Sequence, residues 1–146
     1  MVTFDISPFE GAGAIRFGMD AGQARTVLGT PDRTRTNPAG ETEDRYIGVV
    51  VRYDCTTSRV CELSFSTPSD VRFAGKSLFR DQRAVPALAL ADRAPLEGLG
   101  LIVFPSLGIA LADFFSEQEG DRAITVFARG RWKDLKGFKP FVSNYR

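Results

Sequence analysis

Between Gly13 and Asp32 the chain encodes a strand, a helix start and a helix stop in very little space. Ala14-Ile15-Arg16-Phe17 is a short apolar strand, and after Gly18 the Asp20 carboxylate can accept hydrogen bonds from the first free N–H groups of a helix. Ala21, Ala24, Val27 and Leu28 fall at helical spacing as one narrow apolar stripe. Gly29 suits a left-handed cap, and Pro31 cannot continue the helix. A helix of about two turns is not stable alone, so it must be held against a sheet. That requirement sets an α+β fold in which strands do most of the work.

Strand signals follow on both sides. Val2–Ile6 reads as a first edge strand ended by Ser7-Pro8. Thr34–Thr42 is polar and reads as a loop, whereas Arg45–Asp54 alternates as one strand. Cys55-Thr-Thr-Ser58 forms a turn into a second strand, Arg59–Phe65, with Cys61, Leu63 and Phe65 on one face and Glu62 and Ser64 on the other. After Ser66–Asp70 the plan restarts. Val71–Gly75 is a short strand and Asp81–Leu90 a helix, with Pro86 tolerable only if its first turn begins late. Leu99–Phe104, Gly108–Phe114 and Ala123–Gly130 are further strands. Gly48-Val-Val-Val-Arg-Tyr-Asp and Gly108-Ile-Ala-Leu-Ala-Asp-Phe share a pattern at a spacing of sixty, which suggests an internal repeat. The expected organisation is one compact domain with a first αβ unit over 1–66, a second over 67–130, and a basic, aromatic C-terminal strap over 131–146. Each unit is expected to be a short helix packed on an antiparallel β-sheet.

Composition narrows the function classes. The 146 residues contain no histidine, which removes His-based triads and the commonest general base. A net charge of +1 gives no global field for nucleic acid or an anionic membrane. No apolar run approaches the ~18 residues of a membrane-spanning helix. The N-terminal Met-Val-Thr-Phe-Asp-Ile has neither a basic n-region nor an apolar h-region, so a cytoplasmic location is expected. In that compartment Cys55 and Cys61 read as reduced thiols, with a hairpin-stapling disulfide as the alternative.

Three constellations resemble sites. Gly11, Gly13 and Gly18 miss the dinucleotide spacing, because position 16 is Arg and the first two glycines precede the strand. Asp32, Glu41, Glu43 and Asp44, and separately Glu117, Glu119 and Asp121, lack the ligand spacing of a calcium loop and read as solvated turns. No cofactor and no metal are expected. Ser64, Ser66 and Ser106 have no base partner for a nucleophilic role.

The sheet face away from the helices carries the strongest signal. Alternation places Tyr46, Val50, Arg52, Glu62 and Ser64 on it in the first unit, and Thr125, Phe127 and Arg129 in the second. Tyr, Phe and Arg with few Lys is the composition of protein-binding surfaces. The strap (Arg131, Trp132, Lys133, Lys136, Phe138, Lys139, Phe141, Tyr145) either covers this face or adds to it. Partner binding is assigned to Tyr46, Arg52, Glu62, Phe127, Arg129 and Trp132, with no catalytic residue. The alternative is a small-molecule or nucleic-acid binding domain that uses the sheet face and the basic tail.

Ile15-Arg-Phe-Gly-Met-Asp with Ala24-Arg-Thr-Val-Leu-Gly-Thr-Pro31, followed by a strand hairpin, resembles a recurrent bacterial αβ module. It is similar to the unit of the β-lactamase inhibitor protein and of the small lipoprotein of the outer-membrane assembly machinery. The resemblance spans about Ile15 to Phe65 and, faintly, Val71 to Gly130. It implies tandem units that grip a protein target with a curved sheet. With no export signal or lipid-attachment cysteine in view, the expected function is a non-enzymatic inhibitor, a cytosolic immunity protein that neutralises a bacterial toxin.

Overall fold

The computed structural model describes residues 3–114 and 121–142. One run of elements is β1 (Thr3–Ser7), β2 (Gly11–Ala12), β3 (Ile15–Arg16), α1 (Ala21–Leu28), β4 (Arg33–Thr36), β5 (Thr42–Tyr46), β6 (Val49–Tyr53) and β7 (Val60–Phe65). A second run is β8 (Asp70–Phe73), β9 (Lys76–Ser77), α2 (Ala84–Ala91), β10 (Leu96–Gly98), β11 (Leu101–Phe104), β12 (Ile109–Ala112) and β13 (Ala123–Phe127). A short β14 (Lys139–Pro140) follows. The chain is thus α+β, rich in sheet, with two helices among the described residues. Neither helix is long and apolar enough to cross a membrane.

The local signals around α1 act as written. Asp20 accepts from the Gln23 N–H at 2.8 Å and Gln23 Oε1 accepts from the Asp20 N–H at 3.0 Å, a complete capping box. Gly29 ends the helix at φ +87. α2 starts at Ala84, so Pro86 sits in the first turn, where its missing N–H costs no helical hydrogen bond.

The strands form two sheets, ordered β3-β2-β1-β8-β9 and β14-β10-β11-β12-β13-β7-β6-β5-β4. β1 is central in the smaller sheet, paired with β2 and parallel to β8, and not the edge strand its position suggested. In the larger sheet β4–β7 and β10–β13 are each antiparallel meanders, joined where β7 pairs β13. The core lies on the side of this sheet that faces α1, α2 and the smaller sheet. Phe4, Ile15, Val51, Leu63, Phe65, Leu88, Ile109, Leu111, Ile124 and Val126 fill it.

Three expectations change. Thr34–Thr42 is not all loop, because Arg33–Thr36 pairs with β5. Arg45–Asp54 is not one strand: Ile47-Gly48 turns the chain back, and Tyr46 lies opposite Val49. Gly48 makes that turn possible at φ +77, where a Cβ would sit 2.6 Å from Ser69 Oγ. Cys61 is the extra residue of a bulge, since Arg52 lies opposite Glu62 but Tyr53 opposite Val60. Leu63 and Phe65 keep the core side as expected, whereas Cys61 does not join them there. Cys55 and Cys61 are both free thiols, and burial pushes the Cys61 thiol up to about 11.

Candidate functional site

The outer face of the larger sheet is built by register. Arg35 on β4, Glu43 on β5, Arg52 on β6 and Glu62 on β7 lie opposite one another in sequence, and the row ends on Phe127 of β13. Alternating signs on four neighbouring strands make each cross-strand pair attractive. Arg35 Nε stands 3.2 Å from Glu43, Arg52 Nε donates to Glu43 at 2.6 Å, and Arg52 Nη1 donates to Glu62. The adjacent row runs Arg33, Arg45, Val50, Ser64, Thr125 and Ala110. Ser64 and Thr125 share a hydroxyl contact of 3.3 Å within it.

The strap locks one end of the charged row. Arg131 donates to both Glu41 oxygens, at 2.6 and 2.9 Å, and from Nε to Glu62 Oε1 at 2.9 Å. Trp132 Nε1 donates to the same Glu62 oxygen at 2.9 Å. Its ring stacks on Phe127, with centroids 4.7 Å apart and planes 6° from parallel. Leu135 and Phe138 continue the cover over Val103 and Ala110. Phe9 also packs edge-on against Phe127 and carries the Arg129 guanidinium 4.2 Å above its ring.

Electrostatics follow from this packing. Burial alone would raise the Glu43 carboxyl, but the bond and charge of Arg52, with Arg45 and Asn37, hold it down at about 2. The Arg131 hydrogen bond lowers Glu41 against the opposing effect of burial, and the same bond raises Arg131. The acids are sunk, and Arg35 and Arg45 stand above them, while Arg52 and Arg131 are themselves largely buried at 18% and 20% exposed. Glu43 and Glu62 side chains are 3% and 8% exposed, against 49% for Arg35 and 37% for Arg45. What this face presents to its surroundings is guanidinium.

The expected site residues divide. Arg52, Glu62 and Trp132 meet in one network, and Phe127 joins it through the stack but is buried beneath Trp132. Arg129 lies beyond them on Phe9 and is exposed. Tyr46 is not on this face. The Ile47-Gly48 turn reverses its phase, so it packs against the core and its hydroxyl donates to the Gly29 carbonyl at 2.9 Å.

Sequence reading also misplaced the first acidic group. Glu41, Glu43 and Asp44 are buried strand and strand-entry residues, not solvated turn residues. Asp44, on the core side, accepts from Arg25, Thr34 and Tyr53 at 2.8 to 2.9 Å and so ties α1 to β5. Glu117 and Glu119 lie outside the described residues, as does Tyr145. Among the described residues no three His, Cys, Asp or Glu side chains are grouped to hold a metal ion. No protein-family model matches the chain, and comparison with curated proteins and with solved structures returned no match.

Proposed function

We propose that this chain is a non-enzymatic protein-binding module, a cytoplasmic immunity protein that neutralises a bacterial toxin by gripping it with the outer face of the larger sheet. One observation carries the reading. The strap covers the β10–β13 half of that face and clamps Glu62 and Glu41 through Arg131, while β4–β6 carry a pre-arranged charged row whose Arg35 and Arg45 stay exposed. Cross-strand ion pairs and the Arg131 clamp fix the side chains before any partner arrives, and that pre-organisation lowers the entropic cost of binding. Arg52, Ser64, Thr125, Arg129 and Trp132 form the proposed contact surface.

Two similar halves belong to the same proposal. Each run places strands of the smaller sheet first, three in one and two in the other, then an eight-residue helix, then a four-strand meander. The sixty-residue offset superposes the third strands of the meanders, β6 and β12, each preceded by a glycine at positive φ. This order supports the tandem plan that the resemblance to the β-lactamase inhibitor group implies.

The test is capture from the source cells on immobilised protein, beside a twin carrying Ser64→Arg and Thr125→Arg. Both sites are partly exposed, but Ser64 accepts from Arg52 Nη1 at 3.3 Å and lies opposite Thr125, so the twin is compared with the parent only after far-UV dichroism and cooperative unfolding show that it folds. The reading expects a retained protein that the twin releases, and that arrests growth when expressed without this chain. Retention by both forms overturns the surface, and a retained protein without toxicity overturns the immunity role.

A further inference from the structure

β4 is the margin of the larger sheet. It pairs with β5 on one side, no described strand pairs with its other side, and all four of its residues are exposed. The opposite margin, β14, is two residues long and ends in Pro140, which has no N–H to offer. An open strand edge presents unpaired backbone donors and acceptors that an extended chain can complete. Natural edges of this length are usually guarded by charge, and here the guard has one sign. Thr34 turns to the core side and meets Asp44, so Arg33 and Arg35 turn outward, and Arg45 lies opposite Arg33 on the neighbouring strand. Among the described residues Glu43 is the carboxylate paired with Arg35 and Arg45, and it is buried beneath them and Arg52.

The charge selects the occupant. A second copy of this chain, pairing β4 against β4, would bring two sets of Arg33, Arg35 and Arg45 onto one face, and like charges on neighbouring strands repel. A basic segment meets the same repulsion. An acidic one is attracted, with alternate side chains reaching the guanidinium side and its backbone bonding in the sheet plane. Building on the protein-binding reading above, we infer that β4 is a docking edge for an extended acidic segment of the partner protein, which extends the sheet by one strand and sets alternate carboxylates against Arg33, Arg35 and Arg45.

The probe is a fluorescein-labelled peptide with glutamate and valine alternating, titrated into the full chain and read by anisotropy. A lysine-for-glutamate version and an acidic version N-methylated at alternate residues run beside it. The acidic peptide should bind at low salt, weaken as screening shortens from about 10 Å at 0.1 M to about 3 Å at 1 M, and shift backbone amide signals of β4. Arg33→Glu with Arg35→Glu should weaken it by about tenfold or more while reversing the preference toward the lysine peptide. Equal binding of acidic and lysine peptides, or no binding at low salt, overturns the inference. An N-methylated peptide that binds as well as its parent places any attraction on the face and overturns the edge. So does a dimer in solution whose interface maps to β4. If the acidic peptide fails while a cellular partner still depends on Ser64 and Thr125, only the edge assignment falls. If the peptide binds but no partner depends on those residues, the sheet-face reading falls and the edge stands.

Discussion

Trp132 and Arg131 donate to the same oxygen of Glu62, each at 2.9 Å, while Arg52 holds the other oxygen. One carboxylate thus joins the strap to the middle of the sheet. Glu62→Ala should cost about 3 kcal/mol in urea unfolding, because it leaves two half-buried guanidiniums facing each other without their shared counter-charge. Glu62→Gln keeps the shape and one acceptor, so the loss should be about half as large. Equal losses would mean that packing, not charge, sets the value of this residue.

Acid should unfold the protein over a defined window. Unfolded, the Glu43 carboxyl titrates near its ordinary 4.5, and folded it titrates at about 2. Between those values the unfolded chain binds more protons, so stability falls as pH drops through the window and is fully present above it. Glu41 and Asp44 are lowered too and act in the same direction. Chemical denaturation at stepped pH should show a flat region above about pH 5 and a decline below it, shallower in Glu43→Gln.

Trp132 is the single tryptophan, so its fluorescence reports the strap directly. Trp132→Phe retains an aromatic ring over Phe127 but loses the bond to Glu62, a cost of about 1.5 kcal/mol. Trp132→Ala removes the stack as well and should cost about 3 kcal/mol. In the wild type, acrylamide quenching should be weak in the folded state and rise together with unfolding measured by far-UV dichroism. Quenching that rises well before the dichroism changes would show that the strap detaches on its own.

Two glycines separate backbone strain from crowding. Gly75 has φ +79 with open space around its missing Cβ, whereas Gly48 has φ +77 with Ser69 Oγ at 2.6 Å and Ser66 O at 3.0 Å. Gly75→Ala should cost about 1 kcal/mol from the left-handed backbone alone. Gly48→Ala should cost about 2 kcal/mol more, as the turn between β5 and β6 shifts to admit a methyl group. Thermal unfolding of the two variants tests the difference.

What the sequence disclosed was mostly local. The Asp20 cap, the Gly29 stop and the core alternation of Val49, Val51, Leu63 and Phe65 depend on neighbours within a few residues, and those signals were readable. β4 was hidden because Arg-Thr-Arg-Thr has no apolar side to show. The Ile47-Gly48 turn was hidden inside an apolar run, although an isolated Gly in a strand pattern is itself a signal of a break. With that break missed, Tyr46 was assigned to the wrong face. Glu41 and Glu43 read as solvated because a carboxylate is normally buried only with a partner. Arg131 lies ninety residues from Glu41, and Arg52, nine residues from Glu43, meets it only because the missed Ile47-Gly48 turn folds β6 back on β5. Glu62 was placed correctly by alternation alone, but nothing near it announced that three donors converge there.

The ninety-residue reach from Glu41 to Arg131 also orders events during synthesis. When β4–β7 have left the ribosome, Glu41 still awaits its counter-ion, Glu62 has only Arg52, and β7 has no β13 to pair with. The first meander is therefore an unfinished sheet with a bare edge until the last strands are translated. Contacts so separated along a chain form late and slow its folding. A nascent chain stalled before Arg131 should remain open to proteases and chaperones, and release of the strap sequence should be the step that closes it.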